Sequence, residues 1–437
     1  MTSEAPPETI GARVRSLRKA AGLTQASLAG ERFSTEYVSQ IELGKTRPTR
    51  ETLVWLAHRL STDLEFLEHG VTARDAERVA TTLREAELLL ERHRPAEALA
   101  SFAKVREIVG TAASDVSLRV ARGEAWARIQ TGEIDLALSR LEDAARIALG
   151  TGFTDVDRAG VVFQVGVSRY SQSRISEAIV LLDQAVGLAE RSGLPCDLLR
   201  SDIYHWRSRC HRRNRDWVAA SEDVERALEL AESAADKRRS ADALFQASLV
   251  AQRQGRWVLA RTYAERSLEL FQELADRPTV GRLLNNLAGL NHLLGHHEQA
   301  ISLLDGAFEI FVESDLPVDA GYVCSSLAEI RMSCEEAARA EADARKALTL
   351  LGDRVDHLQE IGTAQLVLGR ALAAQGKVPE AEEWIGTADR TFERARSLGH
   401  RSDAWIAQGD IERGRGADRE AASLYRRAAV ALLEERG

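Results

Sequence analysis

The sequence predicts an all-α chain: a head of five small helices, residues 9–69, followed over 74–437 by a helical solenoid of about nine helix hairpins. Three observations carry this. Short apolar stripes broken by capping residues run to about Leu67. From about Arg74 small residues recur with a period near 40. Beyond Arg74 the chain is nearly all Ala, Leu, Arg and Glu, with few prolines and no strand-like run. Residues 1–8 are expected to be a disordered tail.

In the first helix Ile10, Val14 and Leu17 form an apolar stripe, and Arg13, Arg15, Arg18 and Lys19 are expected on the opposite face. Ala20-Ala21-Gly22 ends it. Thr24 caps a second short helix opening at Gln25 and burying Ala26, Leu28 and Ala29; residues 30–33 make the turn. Ser34 caps the third, with Val38 and Ile41 inward and Thr35, Glu36, Ser39 and Gln40 outward. Gly44 stops that helix, and Thr49 opens a fourth with Leu53, Leu56, Ala57 and Leu60 inward. Thr62-Asp63-Leu64-Glu65 has the form of a capping box before a last short turn.

Gly22-Leu23-Thr24-Gln25, Leu28-Ala29, Val38-Ser39-Gln40-Ile41-Glu42, Gly44-Lys45 and Pro48 together resemble the lambda-repressor-like, or Xre-type, helix-turn-helix family. The resemblance implies a DNA-binding head. In it Gln25 holds a phosphate; Thr35, Glu36, Ser39 and Gln40 lie toward base edges, with the capping Ser34 also counted as DNA-binding; Lys45 and Arg47 meet the backbone; and Arg18 and Glu42 pair internally. Physical chemistry agrees independently. A helix N-terminus attracts phosphate, Gln40 is suited to bidentate bonds with adenine, and Glu36 can accept from cytosine N4. Glu36 also reads as an ordinary solvated helix residue. Although the formal net charge is −9, the window from Arg13 to Arg59 holds nine Lys or Arg against four Glu, about +5.

Each repeat unit places a small residue in its second helix: Ala98, Ala137, Ala178, Ala220, Ala260, Ala300, Ala340, Ala381 and Ala421. Twelve positions before each stands another: Ala86, Ala125, Gly166, Ser208, Ser248, Ala288, Ala328, Gly369 and Gly409. Small side chains at both places let two helices touch, so each unit is an antiparallel pair stacked on its neighbours. This skeleton resembles tetratricopeptide (TPR) repeats, although the usual repeat length and aromatic consensus are missing.

In this register the inner wall comes from first helices and collects Arg122, Trp126, Phe163, Gln164, Tyr170, His205, Trp206, Arg209, Arg212, Phe245, Gln246, Gln252, Asn285, Asn286 and His292. Of these, Gln164, Tyr170, His205, Trp206, Arg209, Arg212, Gln246, Asn285, Asn286 and His292 are the candidate ligand contacts. Amides suit a peptide backbone, aromatic rings suit its side chains, and a carboxylate suits Arg209 and Arg212. The bland alternative is hydrated wall residues or hydrogen bonds between repeats. Three of the chain's four asparagines, Asn285, Asn286 and Asn291, share one helix; Asn291, on another face, reads as structural.

A head of this class before a TPR array resembles the peptide-pheromone-responsive regulators of Gram-positive bacteria and their actinobacterial relatives. That resemblance implies a homodimeric transcription factor on a pseudo-palindromic double-stranded DNA operator, with a short signalling peptide in the solenoid. The last unit, with Tyr425 and the apolar run 428–433, is a candidate dimer surface. A scaffold docking another protein is the alternative use of the solenoid.

Other classes find little support. No Gly-rich phosphate loop or GxSxG element occurs, the ten histidines are scattered, and no cofactor, metal or enzyme activity is expected. Cys196, Cys210, Cys324 and Cys334 form no CxxC pair and read as ordinary buried thiols. The chain begins without a basic n-region, and no stretch of roughly 18 apolar residues follows. A cytoplasmic protein without membrane partners is expected.

Overall fold

A computed structural model describes residues 10–46, 48–69, 73–92, 94–109, 115–150, 153–354 and 357–434. The expected tail at 1–8 and Arg47 lie outside them. All regular structure among the described residues is helical, and two compact units are formed, Met1–Ala235 and Asp236–Gly437.

The first unit opens with α1 (Ile10–Ala20), α2 (Gln25–Ala29), α3 (Thr35–Glu42), α4 (Arg50–Arg59) and α5 (Leu64–His69). Their shared core holds Val14, Leu28, Val38, Ile41, Leu53, Leu56, Leu60 and Leu67. The caps stand where the sequence puts them: Thr24, Ser34 and Thr49 accept the amides of Ser27, Tyr37 and Thr52. Gly11 lets α1 cross α3 closely, since a Cβ there would sit 2.2 Å from the Ile41 carbonyl oxygen.

Two expectations are corrected. Ala26 is exposed, so α2 buries only Leu28 and Ala29. The other concerns Arg13, which is not on the solvent face but 2% exposed. Its Nε donates to the Leu67 carbonyl (3.0 Å) and its Nη2 to that of Glu68 (2.9 Å), tying α1 to the end of α5. Burial lowers its pKa to about 10, with Asp115 opposing, so it stays charged at neutral pH.

The unit continues in four hairpins: α6 (Ala73–Glu91) with α7 (Pro95–Val109), α8 (Asp115–Gln130) with α9 (Ile134–Ala148), α10 (Asp155–Ser171) with α11 (Ile175–Arg191), and α12 (Asp197–Arg213) with α13 (Trp217–Ser233). The second unit has five: α14 (Lys237–Arg253) with α15 (Trp257–Glu273), α16 (Arg277–Leu293) with α17 (His297–Glu313), α18 (Pro317–Ser333) with α19 (Ala337–Leu351), α20 (Leu358–Ala374) with α21 (Val378–Arg394), and α22 (Leu398–Gly414) with α23 (Asp418–Glu434).

The small-residue skeleton is the hairpin contact itself. All nine second-helix alanines are at most 2% exposed. Ser208 Oγ donates to the Ala220 carbonyl at 2.8 Å, bridging the two positions directly. A Cβ on Gly369 would stand 2.5 Å from Ile385 Cγ1 and 3.1 Å from the Ala381 carbonyl oxygen, so filling that site would push the helices apart, whereas one on Gly166 would meet Leu182 Cγ at 3.1 Å and require that side chain to give way.

Turns inside hairpins share a second regularity. Seven residues after the first-helix small position, from the second hairpin to the ninth, a residue has positive φ: Gly132, Ser173, Arg215, Gly255, Gly295, Glu335, Gly376 and Gly416. This left-handed residue reverses the chain and delivers the second helix in register. Of the cysteines, Cys210 and Cys324 are buried, whereas Cys196 and Cys334 are only half-buried.

Candidate nucleic-acid interface and ligand wall

In the head, a buried polar network fixes α3 from behind. Glu42, 8% exposed, takes a forked ion pair from Arg18 (Nε to Oε1 2.5 Å, Nη2 to Oε2 3.1 Å), while Arg18 Nη1 donates to the Leu23 carbonyl (2.8 Å). Burial alone would raise the Glu42 pKa, but the hydrogen bonds from Arg18 and Gln25 bring it below the ordinary glutamate value. Gln25 is half-buried, with Nε2 donating to Glu42 Oε2 at 2.8 Å. One amide hydrogen is thereby engaged inward, and the second is what a phosphate would use.

The opposite side of α3 is open. Ser34, Thr35 and Glu36 are exposed, Ser39 and Gln40 half-buried, and Lys45 exposed just beyond the helix. Gln40 Oε1 accepts from Thr46 Oγ1 (3.1 Å), so bidentate adenine recognition would exchange that hydroxyl for the base amine. No local pattern announces how α4 holds the turn: Arg59 Nη2 donates to the Ser27 carbonyl (2.6 Å), and Trp55 meets Phe33 edge-on at 5.1 Å.

The candidate ligand residues fall into two sets, one in each unit. In the first unit α8, α10 and α12 bring together an aromatic and cationic wall. Trp126 stacks on Phe163 (5.9 Å) and meets Trp206 edge-on (6.3 Å), and Tyr170 meets Trp206 edge-on (5.5 Å). The Arg209 guanidinium lies 4.1 Å from the Trp206 ring centre and 5.2 Å from that of Tyr170. His205 packs against Trp206, and its Nδ1 has no hydrogen-bond partner. Burial, then the positive charges of Arg209 and Arg212, push its pKa down to about 3, so it is neutral. Gln164, 6% exposed, donates from Nε2 to the Arg122 carbonyl (3.3 Å), a bond between repeats, and leaves Oε1 without a partner.

The second unit's set is neutral and largely self-paired. Ser248 Oγ donates to Asn286 Oδ1 (3.2 Å), and His292 Nδ1 lies 2.9 Å from His297 Nδ1. Gln246 Nε2 and Asn285 Oδ1 keep no partner. Asn291 donates to the Leu287 carbonyl of its own helix (2.9 Å). Among the described residues no group of three His, Cys, Asp or Glu could hold a metal, and no helix is long and apolar enough to cross a membrane.

Comparison with known proteins fits this division. The helix-turn-helix domain family matches residues 9–70, and the tetratricopeptide repeat family matches residues 239–311. The chain carries both folds. No curated protein matches it. Among solved structures it is similar to the apo form of RapI (TM-score 0.63, 14% identity, 82% of this chain and 98% of that one). It is also similar to the apo form of the quorum sensor NprR from B. thuringiensis (TM-score 0.62, 14% identity, 82% and 99%). A Rap protein complexed with competence and sporulation factor gives a TM-score of 0.60 at 16% identity, covering 82% and 98%. At these identities the likeness is one of fold, an all-α TPR-like solenoid; the helix-turn-helix head rests on the family match to residues 9–70.

Proposed function

We propose that this protein is a sequence-specific transcriptional regulator. It binds a pseudo-palindromic operator as a homodimer through the helix-turn-helix domain, and its TPR hairpins sense a ligand, a short signalling peptide, that alters operator affinity. The observation that carries the reading is α3 itself. Its outward residues Thr35, Glu36, Ser39 and Gln40 are accessible, while its inward Glu42 is clamped by Arg18, so the helix can enter a major groove without reorganising. The sensing half is supported by the half-buried aromatic rings Trp126, Tyr170 and Trp206 and the unpartnered amide atoms of the first helices, and by structural neighbours that include a quorum sensor and a Rap protein complexed with a competence and sporulation factor.

Gln25 sets register and Gln40 reads sequence. Selection of bound duplexes by the full chain, followed by titration of the selected operator and single-base variants, tests this. Gln40→Ala should cost about 1–3 kcal/mol at one base pair and relax specificity there, whereas Gln25→Ala should weaken every sequence alike. Uniform losses for both variants would overturn the role assignments, and no retention of any duplex would overturn the reading. Short peptides should raise the thermal midpoint; a scaffold for a protein partner would not respond to them.

A further inference from the structure

The turn between α16 and α17 brings two imidazole nitrogens together. His292, in the last turn of α16, and His297, the first residue of α17, hold their Nδ1 atoms 2.9 Å apart, with ring centres at 4.8 Å and planes tilted by 51°. Both side chains are half-buried. The hydrogen bonds around them settle which nitrogen carries a lone pair. Ser333 Oγ donates its hydrogen to the Glu329 carbonyl (3.1 Å), so toward His292 Nε2, 3.5 Å away, it acts as an acceptor. His292 therefore carries its hydrogen on Nε2 and presents a bare Nδ1 to His297. Burial and His297 lower the His292 pKa, which keeps that lone pair free at neutral pH. The hairpin does not need this pair in order to turn. Gly295 in the left-handed region makes the reversal, and the same two positions hold Tyr170 and Ile175, Gln252 and Trp257, or Met332 and Ala337 in three other hairpins. Two neutral imidazole nitrogens at this spacing form a chelate. Metal–nitrogen bonds of about 2.0–2.1 Å drawn to atoms 2.9 Å apart enclose about 90°, the cis angle of square-planar or octahedral coordination. A tetrahedral ion would need the nitrogens about 3.3 Å apart. Each ring turns by about 45° around its soft Cβ–Cγ bond to aim at the common point, and His297 moves its hydrogen from Nδ1 to Nε2.

We propose that His292 and His297 chelate a divalent late transition-metal ion, Cu2+ or Ni2+, through their Nδ1 atoms, with water at the remaining positions. Ser333 Oγ, accepting from His292 Nε2, orients the ring as outer-shell partners of metal-bound imidazoles do. No third His, Cys, Asp or Glu joins them among the described residues, so the site is open and exchangeable, not a closed structural one. Bound there, the ion clips the end of α16 to the start of α17. His292, a candidate ligand contact by its register, thereby gains a partner of different chemistry, and the proposal stands apart from the DNA-binding and peptide-sensing readings.

The test uses the full chain without an affinity tag, stripped with EDTA, dialysed, and titrated by calorimetry with Cu2+, Ni2+, Zn2+ and Mg2+. Cu2+ should bind at one equivalent and raise the thermal midpoint, and its paramagnetic resonance spectrum should carry the splitting of two imidazole nitrogens. Ni2+ should bind more tightly than Zn2+, because the cis angle suits it, and Mg2+, which takes oxygen ligands, should not bind. His292→Gln and His297→Gln should each weaken Cu2+ by about tenfold or more and abolish the rise in thermal midpoint. His296→Gln, an exposed neighbour of both, should leave the affinity unchanged. Ser333→Ala keeps both ligands and removes only the acceptor at Nε2, so it should weaken Cu2+ by about tenfold while the two-nitrogen spectrum persists. Parental Cu2+ affinity in both His292→Gln and His297→Gln, equal loss in His296→Gln, a spectrum with a single imidazole nitrogen, or tighter binding of Zn2+ than of Ni2+ would sink the proposal.

Discussion

The two units build their inner walls on one register, with small residues twelve positions apart, yet they use the polar positions differently. Around α14, α16 and α18 most polar groups are paired within the wall: Ser248 with Asn286, His292 with His297, and Ser333 Oγ 3.5 Å from His292 Nε2. What is left over is two neutral amide atoms, on Gln246 and Asn285, with the Ser325 hydroxyl and Arg331 Nε on α18. Around α8, α10 and α12 the leftover groups include guanidinium nitrogens of Arg122, Arg128 and Arg200, the neutral His205 imidazole and amide oxygens of Gln130 and Gln164, with the Trp126, Tyr170 and Trp206 rings close by. The repeat therefore dictates where a side chain points. Whether it acts as scaffold or as binding surface is decided by what its neighbours leave unsatisfied.

If the skeleton is truly shared, damage to it should be equal in both units. Ala220→Leu and Ala260→Leu, both at fully buried positions, should each destabilise by about 2–3 kcal/mol through overpacking. Chemical unfolding showing one of them to be neutral would break the equivalence. A smaller effect separates the walls by pH. The folded-state pKa of His205, about 3, lies below the unfolded value near 6.5, so the unfolded chain binds the extra proton first. The stability His205 contributes is therefore present above pH 6.5 and lost as pH falls toward 3. His205→Gln should remove roughly 2–4 °C of the melting-temperature drop between pH 7 and pH 5. His292, lowered by burial and by His297, has the same sign, and His292→Gln should recover less. Equal recovery by the two variants would place the desolvated imidazole in the wrong wall. Least of all, Arg215→Gly in one unit and Glu335→Gly in the other relieve a left-handed backbone at the same φ of 62°, and each should stabilise by no more than about 0.5 kcal/mol. Unequal gains in thermal unfolding would show that the turns differ.

The skeleton was readable because only side-chain size at a fixed period had to be recognised, and Ala98 through Ala421 are all buried. The helix caps were readable for a similar reason: Thr24, Ser34 and Thr49 act within three residues of themselves. Arg13 was misplaced because its partners, the Leu67 and Glu68 carbonyls, stand 54 and 55 residues away, and its charge alone points to solvent. Gln25 reads as a phosphate ligand locally, while its bond to Glu42 depends on how α2 docks on α3. The inner wall emerged from the register, and so did Arg122, but not its packing against Gly160 of α10. Nothing in one dimension pairs the two, since Gly160 is in the sequence merely a glycine within a helix.

The left-handed residue seven places after the small position, in the second to the ninth hairpin, also governs where the chain tolerates changes of length. A residue added within such a turn would rotate the following helix by about 100° and carry its alanine off the partner helix. Connections from one hairpin to the next vary in length: that from Arg191 to Asp197 is longer than that from Glu273 to Arg277. The former junction is the natural place to graft a reporter dye or an affinity handle, leaving every hairpin's pairing untouched.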